Sequence, residues 1–133
     1  MKRILVLGLI ICVIATFTAC SGKTYVFKRP IEEIASVEIV SAENSLTYTV
    51  VKKLSDIEKN DFLQKFQQIP FNDYVVGDPM TVNGNAVKIT YPTGDYEIIC
   101  YYWAEYVSNG QVASFIWRNC SENSFRELLE SFL

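Results

Sequence analysis

Histidine is missing from all 133 residues. With it go the commonest general base, the usual activator of serine and cysteine nucleophiles, and the commonest transition-metal ligand. Catalytic triads built on imidazole are therefore excluded. Cysteine is scarce, with four residues, and Cys100 and Cys120 stand far from any metal-knuckle spacing. Twelve basic residues against fifteen acidic ones leave no positive excess. No basic stripe is present either, since Lys52, Lys53 and Lys88 read as solvated strand positions, and nucleic acid is a poor partner for such a chain. Among the acids, Glu97 and Glu105 share a strand face, but eight residues of strand separate them by about 26 Å. Glycoside-cleaving carboxylate pairs stand roughly 5 to 10 Å apart.

What the sequence has in abundance is apolar character, at 50% of residues, and its first twenty positions carry an undue share. Met1-Lys2-Arg3 is followed by a nearly unbroken apolar run over residues 4–15 and then by Thr16, Phe17, Thr18, Ala19 and Cys20. A basic start, an apolar middle and small residues at the end make an export signal. The run falls short of the roughly 20 residues that a spanning helix needs.

Phe17-Thr18-Ala19-Cys20 resembles the lipobox of bacterial lipoproteins, departing from it at Phe17, where that family usually carries leucine or another aliphatic residue. The resemblance covers the leader alone. It implies cleavage before Cys20, a diacylglycerol on the Cys20 thiol, and an extracytoplasmic, membrane-anchored location. Each buried methylene contributes about 0.8 kcal/mol, and two acyl chains suffice for stable attachment.

The expected organisation is a cleaved leader over 1–19, a lipidated N-terminus and tether over 20–30, and one domain over 31–133. Loss of Lys2 and Arg3 with the leader leaves ten basic residues against fifteen acids.

Within the domain, residues 37–40 and 46–51 are β-rich and read as a hairpin. Ser55-Asp56-Ile57-Glu58 has the spacing of a capping box, and Phe62, Leu63, Phe66 and Ile69 recur at helical spacing, which predicts a helix over 56–68 ended by Pro70. Residues 70–85 read as a loop. Strands are predicted over 86–91, 96–107 and 111–119, separated by two-residue turns at Thr93-Gly94 and Asn109-Gly110. That register pairs Tyr91 with Tyr96, Ile89 with Ile98 and Val87 with Cys100 on the core face. Ser121 caps a closing amphipathic helix that carries Phe125, Leu128, Leu129, Phe132 and Leu133. The fold class is α+β: a single antiparallel sheet of about five strands with two helices on one face, in the order β-β-α-β-β-β-α.

Three constellations are candidates for function. The run Tyr101-Tyr102-Trp103, followed across a turn by Phe115-Ile116-Trp117-Arg118, would place Tyr101, Trp103, Ile116 and Arg118 on the sheet face away from the helices. Exposed aromatic and arginine side chains of that kind mark interaction surfaces. The alternative is that they are cross-strand pairs stabilising the sheet, or that another segment or a second copy covers them.

Cys100 and Cys120 are the thiols left once Cys12 leaves with the leader and Cys20 is acylated. A disulfide between them is open, as are two packed free thiols. Asn72, Asp73, Asp78, Asn83 and Asn85 gather oxygen ligands in one loop, but at no EF-hand spacing, and turn formation explains them.

The functional expectation is a non-catalytic envelope lipoprotein with no cofactor and no resident metal, whose domain binds a protein or another surface ligand. The alternatives are a small envelope hydrolase using carboxylates and a metal from the loop over 72–85, and a structural subunit of an envelope complex.

Overall fold

A computed structural model of the chain describes residues 22–73 and 84–133. The leader, Cys20 and residues 74–83 of the expected loop lie outside the described residues. Strands β1 (Ser36–Ala42) and β2 (Tyr48–Lys53) form the first hairpin. Its turn is closed by the Asn44 side-chain oxygen, which accepts from the backbone N–H groups of Leu46 and Thr47. Asparagine favours turns for this reason.

Helix α1 (Asp56–Phe66) starts at the expected capping box: Ser55 Oγ accepts from Glu58 N, and the Glu58 carboxylate accepts from Ser55 N. Bonds of the i to i+3 kind then tighten the chain over Gln68 and Ile69 before Pro70, which the missing proline N–H favours. Helix α2 (Glu122–Glu130) begins under a Ser121 cap.

The remaining strands are β3 (Asn72–Asp73), β4 (Gly84–Thr90), β5 (Tyr96–Ile99), β6 (Trp103–Ser108) and β7 (Gln111–Asn119). Six strands make one antiparallel sheet in the order β2-β1-β4-β5-β6-β7, and the two-residue β3 extends its β7 edge. The α+β class and the helices on one face are as expected; the strand count is higher than the expected five for a specific reason. Residues 96–107 are two strands rather than one. The chain reverses at Cys100-Tyr101-Tyr102, where Cys100 N donates to Trp103 O, and Ile99 then pairs with Ala104.

Two registers also differ from those the turns predicted. The β4–β5 connection is a three-residue loop, Pro92-Thr93-Gly94, with Gly94 at φ +89° and Tyr91 N bonded to Asp95 O. Ile89 therefore pairs with Glu97 and Lys88 with Ile98. A slip of one residue turns every β5 side chain over, so Glu97 and Ile99 face the helices while Tyr96, Ile98 and Cys100 face away. The Asn109-Gly110 turn forms as expected, with positive φ at both residues and Ser108 opposite Gln111. A bulge beside Tyr106 and Val107 then inserts one residue into β7, and Trp103 comes to face Trp117 rather than Ile116.

The sheet has two buried sides. Helix residues Phe62, Leu63, Phe66, Phe125, Leu128 and Leu129 pack on Val37, Ile39, Val87, Ile89 and Ile99. Each large side chain removed from water there contributes about 1.5 to 3 kcal/mol. The opposite side buries Val40, Ala42, Ala86, Ile98, Cys100 and Trp103 beneath the rings of Tyr48, Tyr96, Tyr102 and Phe115. Among the described residues no helix is long and apolar enough to cross a membrane.

Residues 22–30, expected as a tether, are part of the folded body. Lys23 and Phe71 exchange both backbone hydrogen bonds at 2.9 Å. Tyr25 is 3% exposed, and its ring meets Phe27, Phe66 and Phe71 edge-on at 5.1 to 5.5 Å. Farther on, Ala35 N bonds to Thr90 O, so the segment straps the helix side of the sheet from β7 to β4. The physical reason is aromatic burial: Tyr25 and Phe27 alternate with exposed neighbours, as in a strand lying on a core.

Candidate functional site

The strap and the slipped β5 register together build the most polar point of the interior. Glu97 is 2% exposed and accepts from three donors: Tyr25 Oη at 2.9 Å, the backbone N–H of Lys28 at 3.1 Å, and Tyr91 Oη. A buried carboxylate needs such bonds to offset its lost hydration. Burial, and then the adjoining Glu97 charge, hold the Tyr25 hydroxyl well above its ordinary range. Burial and the Glu97 hydrogen bond do the same to Tyr91. Glu97 thereby holds the strap in place through both carboxylate oxygens.

Arg118 closes the outer end of this arrangement. Its guanidinium lies 5.1 Å from the centre of the Tyr25 ring, a cation–π distance, and Nη1 donates to Val26 O at 3.3 Å. Beside it a cleft of about 250 Å³ opens, lined by Lys23, Thr24, Val26, Phe71 and Arg118. Drug-sized ligands usually occupy about 300 to 1,000 Å³, so this cleft suits a small polar group. Two of its five lining side chains are cationic, and Val26 at its rim is 68% exposed.

The four residues expected to form an outer aromatic patch do not come together. Trp103 does lie on the side away from the helices, but it is 3% exposed and stacked on Phe115 at 6.1 Å. Tyr101 packs against the helix-side core. Ile116 pairs with Ala104, which belongs to that same core, and Arg118 lies over Tyr25. The strand break at Cys100 and the β7 bulge are the cause, since together they place Trp103 on one side and the other three on the other. Only Arg118 enters the cleft described above.

The two thiols are likewise apart. Cys100 and Cys120 are free and buried, Cys100 among the residues away from the helices and Cys120 in the helix-side core. Burial raises both, Cys120 to about 12, so neither is a reactive thiolate at neutral pH. Among the described residues no group of three histidine, cysteine, aspartate or glutamate side chains converges to hold a metal. Of the loop oxygens, Asn72 belongs to β3 and Asn85 to β4, at strand positions far apart in the sheet order.

The side away from the helices carries a second polar cluster. Lys88 is 4.7 Å from the ring centres of both Tyr48 and Tyr96 and 3.7 Å from Glu38. Ser45 folds over this side, donating its hydroxyl to Glu105 and accepting from Tyr96 Oη at 2.9 Å. These bonds fasten the β1–β2 turn to β5 and β6.

Lys23 and Tyr25 are not marked by the sequence as site residues, and Glu97 enters there only as a strand-face partner of Glu105, from which the break at Cys100 separates it onto the neighbouring strand. A signal for Tyr25 was present in the alternation of Tyr25 and Phe27 with Thr24, Val26 and Lys28; none existed for Glu97, whose facing depends on a turn type. No family model, curated protein or solved structure matches the chain.

Proposed function

We propose that the chain is a lipid-anchored protein of a bacterial cell envelope whose α+β domain acts as a non-catalytic binding module. The leader and Cys20 support the anchor. The observation that supports the binding role is the cation-lined cleft at Lys23 and Arg118, three residues along the chain from Cys20. The buried Glu97 carboxylate is taken up by bonds that hold the fold, which favours binding over acid–base chemistry at that position. Detergent-phase partitioning tests the reading. The wild-type protein is expected in the detergent phase and Cys20→Ser in the aqueous phase, and a wild-type protein that stays aqueous contradicts it.

A role as a subunit of a larger envelope assembly is favoured by a different observation. Strand β2 is an outer edge of the sheet, and Val50 and Val51 on it are 44% and 49% exposed. Edge strands with exposed apolar side chains invite pairing with another chain. Light scattering on the detergent-solubilised protein separates the two, a monomer favouring the binding module.

A further inference from the structure

The distance between the anchor and the fold sets where the cleft must lie. Ser21 alone stands between Cys20 and Gly22, and the fold already holds Gly22 and Lys23. Lys23 is bonded both ways to Phe71, and a Cβ on Gly22 would come within 2.1 Å of Pro70 Cβ. Three residues span at most about 11 Å even when fully extended. The polar layer of a bilayer is roughly 5 to 7 Å deep on each side. A lipid on Cys20 therefore keeps Lys23 and the cleft within or just above the headgroups.

The charge distribution agrees with that placement. Residues 20–30 contain Lys23, Lys28 and Arg29 and no acid, whereas residues 31–133 carry seven basic residues and all fifteen acids. The segment next to Cys20 is thus basic where the rest of the chain is acidic, and Arg118, opposite Asp73 in the β3–β7 register, adds a fourth cation through its contact with Tyr25 and Val26. Basic residues next to a membrane anchor are drawn to lipid phosphates. Lysine and arginine donate charge-assisted hydrogen bonds to such phosphates, while Val26 offers an apolar surface suited to the interface.

We propose that the cleft lined by Lys23, Thr24, Val26, Phe71 and Arg118 seats the phosphate of a phospholipid in the leaflet that holds Cys20, so that the domain lies on the bilayer in one orientation. The proposal rests on the reading of Cys20 as the lipid anchor. Its consequence is that the β2 edge and the N-terminal end of α1, remote from Pro70, are what the protein shows to other molecules.

The test uses the full lipidated protein in vesicles of phosphatidylglycerol and phosphatidylcholine that contain a headgroup-nitroxide lipid. A fluorophore is attached at Gln68→Cys or at Ile57→Cys, two exposed positions near opposite ends of α1 and outside the cleft lining. Quenching is expected to be several-fold stronger at position 68 than at 57. There it should fall at least twofold toward the level of position 57 in a Lys23→Gln, Arg118→Gln double variant that still floats with the vesicles, and a floating double variant quenched like wild type overturns the role of the cleft. Should the double variant lose the wild-type thermal transition, Lys23→Gln alone is expected to give a smaller fall of the same sign. Equal quenching at the two positions in floating wild-type protein overturns the orientation while leaving the anchor standing. Wild-type protein that neither floats nor carries the mass of a diacylglycerol overturns both.

Discussion

Tyr25 and Glu97, seventy-two positions apart in the chain, share a 2.9 Å hydrogen bond in the interior of the domain. One end of that bond belongs to the segment over 22–30 and the other to a central strand, so that segment and the middle of the sheet are folded as one unit.

Breaking the bond from the tyrosine side should be costly for its size. Tyr25→Phe keeps the ring among Phe27, Phe66 and Phe71 but leaves a buried carboxylate oxygen without its donor. A loss of about 1 to 3 kcal/mol is expected, read from the midpoint of urea unfolding. A midpoint equal to wild type would mean that Glu97 reaches water.

The close approach at Gly22 gives a second test. A β-carbon there would meet Pro70 at 2.1 Å, and φ is +126°, a region that side chains rarely adopt. Gly22→Ala is expected to prise the chain from Phe71 at a cost of about 1 to 3 kcal/mol. It should also speed amide exchange at Lys23 and Phe71, whereas Gly84→Ala, where a β-carbon meets nothing within 4 Å, should leave both amides protected.

Stability should change little through neutral pH, since no histidine titrates there, and should fall on the alkaline side. Burial holds Tyr25 and Tyr91 above their ordinary 10.0 and lifts Cys100 and Cys120 above 9.0, Cys120 to about 12. The unfolded chain releases these protons first, so their contribution is complete below about pH 9 and drains away as pH rises toward the folded values. Urea midpoints at pH 7, 9, 10 and 11 measure this. A profile unchanged up to pH 11 contradicts the burial of these groups.

How much of this was readable beforehand depended on whether a local signal decided the outcome. Ser55-x-x-Glu58 and Ser121 announce their helices because a cap is a contact between near neighbours. Asn109-Gly110 announces its turn because both positions need positive φ. The reversal at Cys100-Tyr101-Tyr102 has no glycine, proline or asparagine to mark it; the one hint was the length of the run over 96–107, twice that of an ordinary strand.

The faces of β5 and β7 were harder still. Pro92-Thr93-Gly94 closes as a three-residue loop and β7 carries a bulge, and a one-residue change in either reverses what points inward. The expected patch of Tyr101, Trp103, Ile116 and Arg118 dissolved on the strand break at Cys100 and the β7 bulge, and the Glu97 network arose from the three-residue loop.

The free thiols offer a direct check on that register. In native protein Cys100 and Cys120 should react with a thiol reagent at least tenfold more slowly than in urea, where two equivalents appear. No equivalents in urea without reductant would mean a disulfide and a different pairing of β5 through β7.

The intact mass of the protein purified from membranes bears most directly on the whole account. A chain that begins at Cys20 with a diacylglycerol on its sulfur is the expected result. A mass that still includes Met1, or one matching an unmodified Cys20, would leave the cleft, the strap and the orientation without the membrane they are argued to face.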